Sequence, residues 1–348
     1  MEKLGVRNTR GMIRVFLLLS LMTMLVLGGF GSKVFPVTPA LAQAPAGPQV
    51  LMEKPPEGAK PEEKKEEAPT TGGPMICDSC LPIEAGHFSV TAMWALSFYP
   101  GVFSPNWRTV SAKGDFHTFF MPVKLTYGPT KDLEMYIIVP FINNWASNVD
   151  LGIAGPNGER SASYAGIGDL TFMAKYNLLA ETDYRPAVTA VAGLASIPTG
   201  HASHLNPTFL AQDAVGTGAV TFTTGINLFK WIKPFMIYSN IWLNSPVNIY
   251  PNRPDNVRSR EYVTFNLAAE LPLSKRFVAL LEMYSNWTWN NLSTPQGYQT
   301  PQTVLGVLPA LEFLATEKLS LSAGASLDLV GKNGVKKYTP MLMATYAF

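Results

Sequence analysis

The chain has 348 residues, of which 47% are hydrophobic and 15% are charged, with a formal net charge of +2. The charged fraction is well below the roughly one quarter typical of soluble domains, yet no run of about 18 apolar residues follows the N-terminal region, so helical spans are not indicated. The near-neutral charge gives no indication of nucleic-acid binding.

The N-terminus has the pattern of a secretory signal peptide. The apolar stretch 15–30 follows four basic residues: Lys3, Arg7, Arg10 and Arg14. The small-x-small motif Ala40-Leu41-Ala42 then forms a cleavage site. We expect residues 1–42 to be removed on export, with Gln43 first in the mature chain; an uncleaved inner-membrane anchor is the alternative. Removal would leave 22 basic and 24 acidic residues, so the overall pI partly reflects the targeting segment.

The next segment, 43–84, is predicted to be a disordered periplasmic tether. Its Pro, Glu and Lys runs, such as 53–57 and 61–67, bury too little apolar area to offset chain entropy. A cell-wall or periplasmic binding partner is the alternative reading of these runs. Cys77 and Cys80 are the chain's only cysteines. In an oxidising compartment this pair predicts a small disulfide loop, and a redox role is the alternative.

From residue 85 onward the sequence alternates apolar and polar residues for about ten positions at a time, which is typical of a transmembrane β-barrel. The fold class predicted for 85–348 is therefore all-β: an antiparallel up-and-down barrel. The pattern predicts twelve strands, at 87–98, 116–127, 133–142, 167–178, 186–197, 218–229, 234–244, 261–271, 276–287, 302–313, 319–330 and 338–348.

The links between these strands support the same interpretation. Short links alternate with long ones such as 99–115, 143–166 and 198–217. Barrels of this class have long extracellular loops and short periplasmic turns, so both termini are expected on the periplasmic side.

Alternation also divides the side chains of each strand between two faces. In 133–142, Met135 and Ile137 share the outer face, while Glu134 and Tyr136 face the lumen. The same rule gives the lumen-lining candidates: Lys124, Glu134, Tyr136, Asp169, Lys175, Tyr262, Glu270, Arg276, Glu282, Tyr284, Glu312 and Asp328.

These inward residues allow two interpretations. Lys124 with Glu134, and Glu270 with Arg276, are predicted either to hold adjacent strands as ion pairs or to form a selectivity lining. The inward tyrosines, to which Tyr238 is added, either pack the lumen or form a path for apolar solutes. No metal or cofactor site is predicted, because His201, His204 and Asp213 fit a polar surface loop better than a cation site.

Two stretches carry a family resemblance. The strand Gly166-Ile167-Gly168-Asp169-Leu170-Thr171-Phe172-Met173-Ala174-Lys175-Tyr176 is followed by a strand ending in Pro198-Thr199-Gly200. This pair resembles the phenol-degradation MetA-like family of outer-membrane β-barrel transporters, over residues 85–348. The resemblance implies an outer-membrane channel for small aromatic or hydrophobic compounds. The final strand, ending at Phe348, also resembles the signal that the bacterial barrel-assembly machinery reads.

The leading hypothesis is thus a passive outer-membrane channel for small molecules. A structural or adhesion barrel with ligand-binding outer loops is the alternative. A phospholipase is a minor alternative, since His87-Phe88-Ser89 and His201-Ala202-Ser203 have the His–Ser spacing of the outer-membrane phospholipase. No orienting group or oxyanion site can be placed beside either pair, so no enzyme is predicted.

Overall fold

The computed structural model describes residues 71–249, 257–294 and 297–348, without the side chains of 292–299. They belong to the compact unit Pro69–Phe348. The predicted signal peptide 1–42 and most of the predicted tether lie outside the described residues, so both remain predictions.

The described residues are almost entirely in strands and their links. The strands, in chain order, are β1 (Phe88–Phe103), β2 (Thr109–Ser111), β3 (Asp115–Thr130), β4 (Leu133–Ser147), β5 (Ala162–Ile167), β6 (Leu170–Leu179), β7 (Ala187–Ile197), β8 (Ala219–Ile232), β9 (Phe235–Asn248), β10 (Tyr262–Pro272), β11 (Phe277–Thr288), β12 (Leu292–Thr294), β13 (Gly297–Gln299), β14 (Thr303–Leu314), β15 (Leu319–Lys332) and β16 (Val335–Ala347). The described chain also has one short 3-10 helix, Pro207–Phe209.

Within this described part, twelve strands close into one antiparallel barrel. Their order around the wall is β1, β3, β4, β6, β7, β8, β9, β10, β11, β14, β15 and β16, and β16 pairs with β1. The closing register runs from Ser89 opposite Ala347 to Ala95 opposite Met341 and beyond. Phe88 and Phe348 exchange two main-chain hydrogen bonds at the end of this seam. The prediction of a twelve-stranded up-and-down barrel is confirmed.

The wall alternates as a barrel requires. Along β4, Glu134 and Tyr136 are buried, whereas Ile137 and Val139 are exposed on the outer surface. Large apolar side chains are exposed around the whole exterior, for example Trp94, Leu125, Phe172, Leu281 and Leu342. An apolar outer face over a polar interior is typical of a barrel surrounded by lipid. No helix among the described residues has the length and apolar character needed to cross a membrane.

Most observed strands run past their predicted ends. The predicted strand 167–178 is not one continuous strand. The chain there forms β5 and β6, which both pair with β4 and are separated at Gly168 and Asp169. The Gly168 N–H donates to the Pro140 carbonyl, and a Cβ on Gly168 would lie 2.7 Å from Ile142 Cδ1. A side chain at this position would require Ile142 to move, and the glycine marks the break between the two strands. The predicted link 143–166 therefore contains a strand.

Candidate functional site

The barrel interior holds part of its own chain, residues 71–84, which we call the lumen segment. It contacts the inner faces of β10 and β14 first, then β11 and β9, then β7 and β4. Cys80, Cys77 and Met75 are all buried. The prediction that the disordered tether extends to residue 84 is wrong for these residues. Unlike 53–67, the lumen segment has few charges and several apolar side chains, so its burial offsets the cost of ordering it.

One end of the lumen segment is held by three buried glutamates on adjacent strands, Glu270, Glu282 and Glu312, which we call the acidic wall. Glu282 accepts main-chain hydrogen bonds from Met75, Ile76 and Cys77, at 2.6, 3.0 and 2.7 Å. Glu312 Oε1 accepts the Gly72 N–H at 2.7 Å. Glu270 Oε2 accepts the hydroxyl of Thr71 at 2.8 Å. The acidic wall thus anchors the segment through four main-chain N–H groups and one side-chain hydroxyl.

The other end is held by Lys124 and Lys175, which we call the basic wall. Asp78 Oδ1 lies 3.3 Å from Lys124 Nζ and 3.4 Å from Lys175 Nζ. Lys175 Nζ also lies 2.8 Å from Glu134 Oε1, its direct cross-strand neighbour. Burial raises the pKa of Asp78, but the ammonium groups of Lys175 and Lys124 outweigh that effect and lower it. Asp78 is therefore ionised and charge-paired inside the barrel.

Both predicted ion pairs are wrong. Lys124 faces Ile138 in the strand register, which separates it from Glu134, and its partner is Asp78. Arg276 is exposed and lies before β11 in the turn between β10 and β11, so it does not line the lumen. Glu270 contacts Thr71 and Tyr238 instead.

The other lumen-lining candidates lie on the inner face or at its outer end. Tyr136 lies under Lys124, whose Nζ is 4.0 Å from the ring centroid. Tyr284 donates a 2.8 Å hydrogen bond to Asp328. Asp169 accepts hydrogen bonds from Ser196, Gly200 and Thr217 at the outer end. Tyr262 begins β10 on the same face as Glu270. Sequence reasoning missed Asn227 and Asn240, which hydrogen bond to Asp78; their inward parity was the available signal.

The two cysteines do not form the predicted disulfide: both thiols are free. Cys80 Sγ contacts Thr189 Oγ1 at 3.1 Å and the Asn227 carbonyl, on β7 and β8. The main chain of Cys77 is instead bound to Glu282 on β11. The two residues are thus held by different parts of the wall. Burial raises the pKa of the Cys80 thiol to about 11, so this thiol is protonated and unreactive in place.

The outer end of the lumen is more apolar than the part that holds the lumen segment. A cavity of about 730 Å³ lies there, which we call the outer-mouth cavity; its lining includes Tyr99, Ala112, Phe116, Ile142 and Ala214. The loop between β7 and β8 reaches the cavity, because Asn144 Nδ2 donates to the Gln212 carbonyl at 3.0 Å. A largely apolar cavity with a few polar groups is suited to small apolar molecules.

The two His–Ser pairs lie in different surroundings. His87 is exposed and contacts Ala85 and Glu84. His201 Nδ1 lies 4.0 Å from Asp213 Oδ2, in the loop between β7 and β8. Within the described ranges, no group of three or more His, Cys, Asp or Glu side chains is placed to hold a metal ion.

Comparisons with known proteins show which solved structures have a similar fold. No protein-family model matches the sequence. No curated protein matches it either. Among solved structures, the COG4313 outer membrane channel from Pseudomonas putida F1 is similar, with 14% identity and a TM-score of 0.60, over 77% of this chain and 98% of that one. The Ralstonia pickettii toluene transporter TbuX matches with 8% identity and a TM-score of 0.38, over 76% of this chain and 90% of that one. The fold is thus that of outer-membrane β-barrels.

Proposed function

We propose that this protein is an outer-membrane channel for the passive passage of small molecules, including hydrophobic and aromatic compounds. The observation that carries the proposal is the apolar outer-mouth cavity, in a barrel with a polar interior and an apolar exterior. The fold shared with the COG4313 channel supports the same function. The resemblance to the phenol-degradation MetA-like family is the finer part of the proposal.

The proposed setting is the outer membrane, with the short turns and both termini on the periplasmic side. The barrel would arrive there through a cleaved signal peptide, and the assembly machinery would read the final strand ending at Phe348. Outer-membrane lipid would contact the apolar exterior.

The lumen segment sets the proposed mechanism. It crosses the interior near the short-turn ends of the strands, so a solute in the outer-mouth cavity must pass beside it or displace it. Displacement breaks the contacts of Asp78 with Lys124, Lys175 and Asn227, and the backbone contacts with Glu282. These contacts therefore set how often the channel is open.

Single-channel recording in planar bilayers tests the proposal with the Asp78→Asn variant. The amide keeps the shape of the side chain but removes the charge that pairs with the two lysines. A loss of about 1.4 kcal/mol of anchoring free energy would raise the open population about tenfold. Glu84→Gln is the control, because the Glu84 side chain is exposed and forms, within the described chain, a single ion pair with the nearby His87.

We expect more frequent or longer openings for Asp78→Asn and unchanged openings for Glu84→Gln. Swelling of proteoliposomes in small aromatic solutes gives a second readout. If neither the wild type nor Asp78→Asn shows stepwise current or solute entry, the channel proposal is wrong. The filled lumen would then favour a structural or adhesion barrel with ligand-binding loops.

A further inference from the structure

The charges inside the barrel are separated onto opposite sides. Lys124 and Lys175 lie on β3 and β6, on either side of β4, whereas the acidic wall lies on β10, β11 and β14. In the order of strands around the barrel, β4 is third and β11 is ninth of twelve. The basic and acidic walls are therefore half a turn apart and face each other across the lumen.

The lumen segment matches both walls at once. It presents a carboxylate, Asp78, to the basic wall. It presents hydrogen-bond donors to the acidic wall: the N–H groups of Gly72, Met75, Ile76 and Cys77 and the hydroxyl of Thr71. The segment thus shows what chemistry the lumen accepts: an acceptor with negative charge on one side and donors on the other.

The acidic wall keeps hydrogen-bond acceptors without partners even with the lumen segment in place. Glu270 and Glu312 are fully buried, and Glu270 Oε1 and Glu312 Oε2 have no hydrogen-bond partner within the described chain. In the lumen of the described barrel, every ion pair involves Lys124 or Lys175 of the basic wall. None of them includes a glutamate of the acidic wall. A cationic donor beside such a buried carboxyl group would favour its ionised form and supply the missing hydrogen bonds.

We propose that the open lumen selects zwitterionic solutes, which carry an ammonium group toward the acidic wall and a carboxylate toward the basic wall. This inference rests on the proposed channel function and names its substrate class. An amino acid with an aromatic side chain combines that head group with an apolar body suited to the outer-mouth cavity. A solute with only one charge satisfies one wall and leaves the other without a partner, so it passes more slowly.

The test compares three probes of similar size in proteoliposomes: phenylalanine, phenylalanine amide, which lacks the carboxylate, and 3-phenylpropionate, which lacks the ammonium group. Entry into protein-free vesicles is subtracted for each probe. In the Asp78→Asn variant, whose walls are intact and whose lumen segment is loosened, we expect phenylalanine to enter at least about threefold faster than either analogue, as paired charges in a narrow pore require.

Changing the acidic wall separates selectivity from opening. Glu282→Gln also loosens the lumen segment, so total flux rises, but the preference for phenylalanine over 3-phenylpropionate falls toward one. Glu270→Gln repeats the measurement should Glu282→Gln fail to assemble. Equal entry of the three probes into Asp78→Asn vesicles, or a preference that survives both wall variants, overturns the inference and leaves the channel function standing. Absence of entry for every probe contradicts the channel function itself.

Discussion

At the residue scale, Lys175 is a fully buried charge that joins the barrel wall to the lumen segment. Its side chain is 1% exposed, and its ammonium group contacts Glu134 on the neighbouring strand and Asp78 on the lumen segment. It also donates to the Ser79 carbonyl at 2.9 Å. A buried ammonium group is tolerated only when its donors are used, and here they join the wall to the segment.

Replacing Lys175 by methionine should therefore be costly. Lys175→Met leaves Glu134 buried without a counter-charge, which typically destabilises a protein by about 3–5 kcal/mol. Lys124→Met is the matched control, since the Lys124 side chain is 26% exposed and makes one ion pair. The loss there should be smaller, because Asp78 keeps Lys175 as its counter-charge. Urea unfolding in lipid vesicles measures both, and equal losses would show that the burial of Lys175 has no special cost.

The residue scale also shows where sequence reasoning is strong and where it fails. The inward direction of Glu134, Lys175, Glu282 and Glu312 follows from alternation, because a strand has a period of two. Their partners do not follow. Asp78 lies in a segment without periodicity. The Lys124–Glu134 pair needed a register that places the two residues side by side, whereas Lys124 lies opposite Ile138. Partners depend on pairing across strands, which a single strand's pattern does not specify.

At the element scale, the lumen segment is bound mainly through its backbone. The three N–H donors on Glu282 belong to Met75, Ile76 and Cys77, so their side chains are not what the wall recognises there. Met75 inserts into an apolar cluster with Ala95, Leu308, Met341 and Met343, and the Ile76 side chain packs against the same cluster. Sequence reasoning missed this element because short irregular segments carry no hydrophobic period, and their order comes from tertiary contacts.

A proline at position 76 should open the channel more than an alanine does. Ile76→Pro removes the N–H that donates to Glu282 Oε2 at 3.0 Å and restricts Met75, the residue before it. Ile76→Ala keeps that N–H and is the matched control. We expect single-channel opening to increase more in Ile76→Pro than in Ile76→Ala, because the alanine variant loses only side-chain packing against the Met75 cluster and keeps the N–H.

Thiol labelling gives an independent readout of the same change. Cys77 and Cys80 are buried free thiols and the only cysteines of the chain. A maleimide should therefore react slowly with the wild type and Ile76→Ala, and faster with Ile76→Pro. Rapid labelling of the wild type would contradict the buried position of the segment.

At the scale of the whole molecule, alternation and link lengths were sufficient to predict the closed barrel. Both are whole-chain patterns, repeated over twelve strands, so single errors of a few residues at strand ends did not change the topology. The break between β5 and β6 was missed because it depends on one close approach, at Gly168, rather than on a repeated pattern. The filled lumen was missed because the lumen segment is short and irregular and carries no hydrophobic period.

The apolar exterior leads to a prediction about the whole barrel. Leu281 is 58% exposed in the body of β11, with Ala269 and Pro309 beside it on the neighbouring strands. An arginine on a lipid-facing position costs about 2–4 kcal/mol at the midplane of the bilayer and much less near its edges. Leu281→Arg should therefore lower the free energy of unfolding measured by urea titration in lipid vesicles. Leu151→Arg, at a 74% exposed position in the link between β4 and β5, should leave it nearly unchanged. If both variants unfold at the wild-type urea concentration, hydrocarbon does not surround β11, and the membrane-spanning orientation of the barrel is wrong.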